Sequence, residues 1–277
     1  MLTSKTKINK NNDKKYISVN TIERYKSKKI IESFDDNYLS MFYTQVVLSG
    51  IFFLNYDNYP KINKKILILG AGAGNLNYFF DKVFMNNADI DAVEIDQKII
   101  ELGRDYFGFN NFKKENIKKS ENNNINWYIQ DAKTFIEEKD AENYYDLIIM
   151  NIHNTEPIKE RSTSNIFFEE KIMKNINKII KPEGIYIMYL MCKNKIIHEK
   201  SVELMKKFFK NIISFENNDE LNKIYFCFKS KIKQNEIMKN YSANITNLSE
   251  LKDIIDIKII RSSSLHLMNK FNNIILD

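Results

Sequence analysis

Two cysteines, three prolines, three histidines, one tryptophan and seven glycines are all that 277 residues contain of these types. Each scarcity excludes something. Cys192 and Cys227 sit singly inside apolar, strand-like runs, so neither a disulfide framework nor a metal-spaced cluster is on offer, and a reducing compartment fits. His198 and His266 have no carboxylate or cysteine at ligand spacing, and no metal is expected. No apolar run reaches the ~18 residues of a membrane span. The N-terminus lacks an apolar signal core and is poor in arginine, so the cytoplasm is the expected compartment. Charge of one sign does not dominate either. Forty-two basic against 36 acidic residues leave +6 and a pI near 8.9, which permits an acidic partner without demanding one.

What is present argues for a folded α/β chain. Hydrophobic residues make up 43% and aromatics 13%, enough for a sizeable core and too much for global disorder. The heavy use of Asn, Lys and Ile reads as a compositional bias of the genome. Residues 1–33 form a basic tail and lead-in, with nine Lys/Arg against three acids, and 1–15 reads as solvated. No aromatics interleave the charges of 1–15, so nucleic acid is not the expected partner. Residues 34–230 read as one domain. A helical stretch at 37–54 precedes Pro60. Strand-like runs follow at 66–69, 90–95, 125–130, 147–152 and 185–191. Helix-like segments fall between them at 75–84, 97–107, 132–138 and 165–180, the last stopped by Pro182 and Gly184. Alternation of this kind predicts parallel βαβ units in a doubly wound sheet. A further helix, 199–209, leads to two strands, 211–216 and 223–229, that read as a hairpin with one arm antiparallel to the sheet. The polar stretch 113–126 reads as an expanded loop. Residues 231–277 read as a helical extension.

Three of the seven glycines crowd into ILILGAGAGNL, at Gly70, Gly72 and Gly74, straight after the first strand. A P-loop would continue GK[ST], and this turn continues Asn75–Leu76. A dinucleotide fingerprint would space its glycines G-x-G-x-x-G, and here the spacing is G-x-G-x-G. The tighter form suits a ligand without a pyrophosphate, whose small zwitterionic end lies along the loop backbone. Two acids follow at the ends of the next strands. Glu94, in DAVEID, can accept from both ribose hydroxyls or be a surface acid at a strand end. Asp131, in QDAKTF, can accept from an adenine amino group, cap the following helix, or do both. In open α/β sheets ligands lie outside the carboxyl ends of the strands, where all three elements fall in consecutive order.

This layout resembles the class I S-adenosylmethionine-dependent methyltransferases, from about residue 37 to 229. Within them the spermidine-synthase-like branch is the nearest likeness, on YLSMFYTQVVLSG, on DAVEID followed by FGF, and on S-x-x-x-FFEEKIMKNINKIIKPEG. With the late strand NKIYFCF the chain further resembles the enzymes that methylate a translation elongation factor at its N-terminal amine and at a lysine. The resemblance implies a Rossmann-like seven-stranded sheet with helices on both faces and S-adenosylmethionine as cofactor. It implies that Gly70, Gly72 and Gly74 contact the methionine end, Glu94 the ribose and Asp131 the adenine. Gln45 matches a helix position facing the cofactor; a polar residue on a core-facing helix is the plainer reading. The acceptor would be a protein amine, with a translation elongation factor as one candidate.

Aminopropyltransferases share this fold and carry D-[ST]-[ST]-D-P after the fourth strand, its first Asp helping to deprotonate the attacking amine. Here that segment is HNTEP, with His153 and Glu156 at the acid positions. The methyltransferases of the branch carry D-V-D-S-K-D-P; here NIHNTEP starts at Asn151. An α-amino group near pKa 8 is neutral about one time in five at about pH 7.4, whereas a lysine is so only about one time in a thousand. An N-terminal amine therefore needs little help from a base. Glu156 is expected to orient or receive the amine, with Asn151 and His153 as polar neighbours. His153 can also act as a general base or be a satisfied loop residue. The base-amine signature [DNS]-P-P-[YFW] is absent, which argues against nucleic-acid methylation. Aminopropyl transfer and a non-catalytic cofactor-binding domain are the alternatives.

Overall fold

Short runs of Ile, Leu and Val, buried on both faces, build the centre of the molecule. The computed structural model describes residues 17–18, 34–35, 42–54, 63–84, 88–107, 124–152, 163–216, 222–247 and 271–274. Its strands are β1 (Lys64–Leu69), β2 (Ala88–Glu94), β3 (Ile125–Ile129), β4 (Tyr145–Met150), β5 (Ile180–Met191), β6 (Asn211–Glu216), β7 (Asn222–Phe228) and β8 (Phe271–Ile274). Their spatial order is 3-2-1-4-5-7-6, with β8 added outside β6. β1 to β5 run parallel, β7 is antiparallel to both β5 and β6, and β8 is antiparallel to β6. The seven-stranded mixed sheet and its late hairpin are as the sequence predicts. Ile17–Ser18 and Phe34–Asp35 form a separate parallel pair.

The helices are α1 (Phe42–Ser49), continued by a 3-10 turn at Gly50–Phe53, α2 (Asn75–Val83), α3 (Gln97–Phe107), α4 (Ala132–Glu138), α5 (Glu170–Ile179), α6 (Lys195–Phe208) and α7 (Gln234–Asn247). Successive strand residues point to opposite faces, and this splits the core in two. Ile66 and Ile68 of β1 join Ile90, Leu147 and Ile187 beneath α1, α2 and α7. Leu67 and Leu69 join Val93, Ile148 and Met188 beneath α4, α5 and α6. α7 is tied to the 3-10 turn: Asn244 Nδ2 donates to the carbonyls of Phe52 and Leu54, both at 2.8 Å. Tyr241 packs on Phe53 with ring centroids 4.4 Å apart.

Three local differences from the sequence reading have local causes. The helix expected over 165–180 is a 3-10 turn, Asn165–Phe168, and then α5, because Glu169 is extended (φ −83°, ψ 140°). β5 starts at Ile180, so Pro182 and Gly184 lie within a strand; pairing jumps from Tyr145–Ile180 to Leu147–Ile185, a bulge that absorbs the residue lacking an N–H. α6 starts at Lys195, ahead of the expected residue 199, because Asn194 Oδ1 accepts from the N–H groups of Ile196 and Ile197 at 3.0 and 3.2 Å. The readings of 1–15, of FGF at 108–109, of the loop 113–123, and of His153, Glu156 and His266 fall outside the described residues.

Candidate functional site

β1, β2, β3 and β4 end along one edge of the sheet, side by side. The glycine turn leaves β1 there. Gly70, Gly72 and Gly74 have φ of 79°, 58° and 95°, a left-handed backbone that costs an ordinary residue ~1–2 kcal/mol. The Gly70 and Ala71 N–H groups donate to the Val93 carbonyl at 2.9 and 3.0 Å, and Gly74 N–H to Ala71 O at 3.1 Å. This folds the turn back over the end of β2. A Cβ on Gly70 would come within 2.8 Å of the Asn151 carbonyl oxygen and of Ile152 Cγ1. A Cβ on Gly72 would meet nothing within 4 Å. The first glycine thus answers to the protein's own packing, while the second leaves bare backbone facing open space.

Glu94 is the last residue of β2 and is buried. Its Oε2 accepts from Gly72 N–H at 2.8 Å and its Oε1 from Asp96 N–H at 3.0 Å. The carboxylate therefore braces the turn from below, and each oxygen keeps a further lone pair. It is not a free surface acid. Asp131 follows β3 and caps α4: Oδ1 accepts from Thr134 N–H at 3.1 Å, on an exposed side chain. The cap uses one oxygen. Ile95 and Ile129 flank these acids and are 67% and 50% exposed, two large apolar side chains at the rim of a polar site.

Asn151 follows β4. Its N–H donates to Leu69 O at 2.9 Å and its Nδ2 to Gly70 O at 3.3 Å. That second bond fixes which amide atom is which, and it leaves Oδ1 buried with no hydrogen-bond partner among the described residues. A buried acceptor left unmade costs ~1–3 kcal/mol, so such an atom calls for a donor. Gln45 is half-buried on α1, which packs against α2, the helix that begins at the turn. Gly70, Gly72, Gly74, Glu94, Asp131 and Asn151 are thus brought to one edge. Gln45 stands on the adjoining helix. His153 and Glu156 are not among the described residues.

One contributor escaped the sequence reading. A Cβ on Gly103, inside α3, would come within 2.1 Å of the Ala73 carbonyl. α3 therefore lies directly against the glycine turn, and only glycine permits it. A lone glycine within a helical periodicity was the available signal.

The residues along this edge suit a nucleoside with a charged amino-acid tail: bare backbone at Gly72, carboxylates at two successive strand ends, and an apolar rim beside them. The model of the spermine/spermidine synthase domain matches residues 41–226. The human eEF1A lysine and N-terminal methyltransferase is 27% identical over 169 residues, 59% of this chain and 23% of that protein. The polyamine aminopropyltransferase of Alkaliphilus metalliredigens is 31% identical over 128 residues, 46% of this chain and 40% of that enzyme. The chain thus spans less than half the length of these relatives. Among solved structures, human methyltransferase-like protein 13 in complex with SAH superposes with a TM-score of 0.64 at 23% identity, over 76% of this chain and 93% of that one. The fold is that of the class I methyltransferases.

Proposed function

The chain belongs to the spermine/spermidine synthase domain family, and from that premise we propose that it is an S-adenosylmethionine-dependent methyltransferase acting on an amine of a protein. The observation that carries this reading is the orphaned Asn151 Oδ1, held beside the glycine turn by its own Nδ2. An amide oxygen there accepts an amine N–H and directs the nitrogen lone pair toward the turn.

When bound, S-adenosylmethionine supplies a methyl group already activated on a sulfonium, so the site must mainly place the nucleophile in line. The N–C bond forms from the amine lone pair, the S–C electrons return to sulfur, and the extra proton leaves the nitrogen. Gly70, Gly72 and Gly74 would take the methionine end along their backbone. Glu94 has lone pairs left for the ribose hydroxyls, and Asp131 an oxygen for the adenine amino group. Ile95 and Ile129 offer apolar surface to a flat base, and Gln45 would face the cofactor from α1. Glu156 would orient or receive the amine. His153 would be its polar neighbour and a base near neutral pH. An N-terminal amine, partly neutral at physiological pH, asks least of this site, and a lysine needs the desolvated, acid-lined pocket. A translation elongation factor is the acceptor to try first, given what the human relative is named for, and the cytoplasm is where they would meet. Among the described residues no helix is long and apolar enough to cross a membrane.

Aminopropyl transfer is the second reading, favoured by the family match and the bacterial relative. Calorimetric titration with S-adenosylmethionine and with its decarboxylated form separates the two. Preference for the intact cofactor, with labelled methyl appearing on protein, is the expected result. Preference for the decarboxylated form would move the function to polyamines. Binding without turnover on any protein extract would leave a non-catalytic binding domain. Glu156→Gln should lower turnover about tenfold or more with cofactor affinity within about threefold; unchanged turnover removes Glu156 from the mechanism.

A further inference from the structure

α3 is joined to the glycine turn at two places. The first is Glu94, whose carboxylate takes Gly72 N–H on one oxygen and Asp96 N–H on the other. Asp96 starts α3: its carbonyl accepts from Ile99 N–H at 3.1 Å, and its Oδ1 from Lys98 N–H at 2.9 Å. The second place is Gly103, about 10 Å further along the helix axis. The three atoms nearest to a Cβ there would all be Ala73 backbone: the carbonyl oxygen first, then the carbonyl carbon at 2.9 Å and Cα at 3.1 Å. Backbone cannot swing aside as the far end of a long side chain can. Glycine carries only a hydrogen in that direction. α3 therefore points a Cα–H at the Ala73 oxygen, a weak bond that any side chain would replace with a collision.

The point on which α3 rests is distinctive in its hydrogen bonding. Between Gly70 and Gly74 every other N–H is engaged within the chain. Gly70 and Ala71 donate to the Val93 carbonyl, Gly72 to Glu94 and Gly74 to the Ala71 carbonyl. The Ala73 N–H donates to no described residue. A backbone N–H is an obligatory donor, so this is the one the turn keeps for a ligand. Ala73 stands between two glycines with φ of 58° and 95°. Its own stretch of chain does little to stiffen it, because glycine leaves the backbone the most freedom. α3 supplies that stiffness from outside. We propose that Gly103 is a positioning residue for the cofactor: it lets α3 lie against the Ala73 carbonyl and so fixes the Ala73 N–H, the donor to the charged methionine end. This rests on the turn being the S-adenosylmethionine site.

Calorimetric titration of the full chain with S-adenosylmethionine tests the assignment. Gly103→Ala should weaken binding about tenfold or more. Alanine is the better helix former, so that loss cannot come from a weaker α3. Asp105→Ala, at an exposed position of the same helix, should leave affinity within about twofold. A glycine at 73 lets the turn yield to the added methyl group. The double variant Ala73→Gly/Gly103→Ala should therefore bind about threefold or more tighter than Gly103→Ala alone. The wild-type chain gives a reading that needs no variant. Cofactor binding should slow hydrogen exchange of the Ala73 amide about tenfold or more, and that of the Gly70 and Ala71 amides, already bonded to Val93, by less. A wild-type chain that binds no S-adenosylmethionine overturns the reading of the site and this assignment with it. Where wild type binds, three results overturn the assignment alone: Gly103→Ala equal to wild type, a double variant no better than Gly103→Ala, or an Ala73 amide left unprotected by the cofactor.

Discussion

The edge of the sheet where the strands begin and the edge where they end use the same residue types and leave them in opposite states. At the beginning, acids meet lysines. Asp146 takes Lys181 at 2.8 Å, Lys64 at 3.9 Å and the Lys65 backbone N–H at 2.8 Å. Lys65 also pairs with Asp89. Further in, Asp91 is buried and fully engaged, by Tyr145 Oη at 2.5 Å, Lys139 Nζ at 3.0 Å and Asn126 Nδ2 at 2.9 Å. Burial, and then the Asp91 charge, pushes the Tyr128 hydroxyl up to about 12 and Tyr145 well above its ordinary value. At the other edge neither Glu94 nor Asp131 is paired with a lysine or arginine among the described residues. Glu94 is held by backbone N–H groups, Asp131 by its own helix, and Asn151 Oδ1 by no described residue. A carboxylate saturated by cations stabilises the fold and has little left to offer. A carboxylate held by backbone donors alone is positioned yet keeps acceptor capacity. The first edge spends its acids on stability, and the second keeps acceptors unspent.

The comparison breaks most visibly if substitutions fail to sort by edge. Asp91→Ala strands Lys139 and the Tyr145 hydroxyl, and should cost ~3 kcal/mol in urea unfolding while leaving cofactor affinity within about twofold. Gly70→Ala should cost ~2–3 kcal/mol, from the positive φ and the contact with Asn151, and should also abolish calorimetric cofactor binding. Glu94→Ala should weaken cofactor binding about 30- to 100-fold, more than it lowers the melting temperature; the reverse order would make Glu94 a brace only. Asn151→Ala should reduce turnover about tenfold at nearly unchanged cofactor affinity, with stability within ~1 kcal/mol because removing the unmet Oδ1 offsets the lost Nδ2 bond to Gly70 O.

The smallest effect sharpens the contrast from outside both edges. Asn77 and Asp81 are buried one turn apart on α2, the Asn77 amide and Asp81 Oδ1 have no hydrogen-bond partner among the described residues, and burial raises the Asp81 carboxyl to about 6. A raised carboxyl adds stability that is full below its unfolded value near 3.8 and is lost as pH rises through about 6. Asp81→Asn should therefore raise the melting temperature near neutral pH, by ~1–2 kcal/mol in stability, and flatten its pH dependence between about 4 and 6.

Much of this was legible because it is written locally. The run ILIL, the crowding of Gly70, Gly72 and Gly74, and the position of Glu94 twenty residues on declare a strand, a turn and a strand end without reference to anything distant. The N-cap at Asp131 was readable as one of its alternatives, since a short acid before a helix can cap it. The misses are long-range or depend on a single atom. That α6 begins at Asn194 hangs on one side-chain oxygen. Pro182 reads as a stop and is instead absorbed in a bulge, which only the pairing of β5 with β4 reveals. Gly103 looks like a weak point in α3 until Ala73 is found against it.

The sequence by itself determined the order of strands and helices, the two-sided apolar core and the chemistry placed at each strand end, because periodicity and turn residues act over a few bonds. Tertiary structure alone decided which of those polar groups would be satisfied. Asp91 and Glu94 are three residues apart on one strand, and nothing in DAVEID says that one will meet a lysine from the end of α4 while the other meets only backbone N–H groups. That depends on which parts of the chain are brought beside each end of the sheet. It is the packing, through desolvation and the supply of partners, that makes one carboxylate structural and leaves the other ready for a ligand.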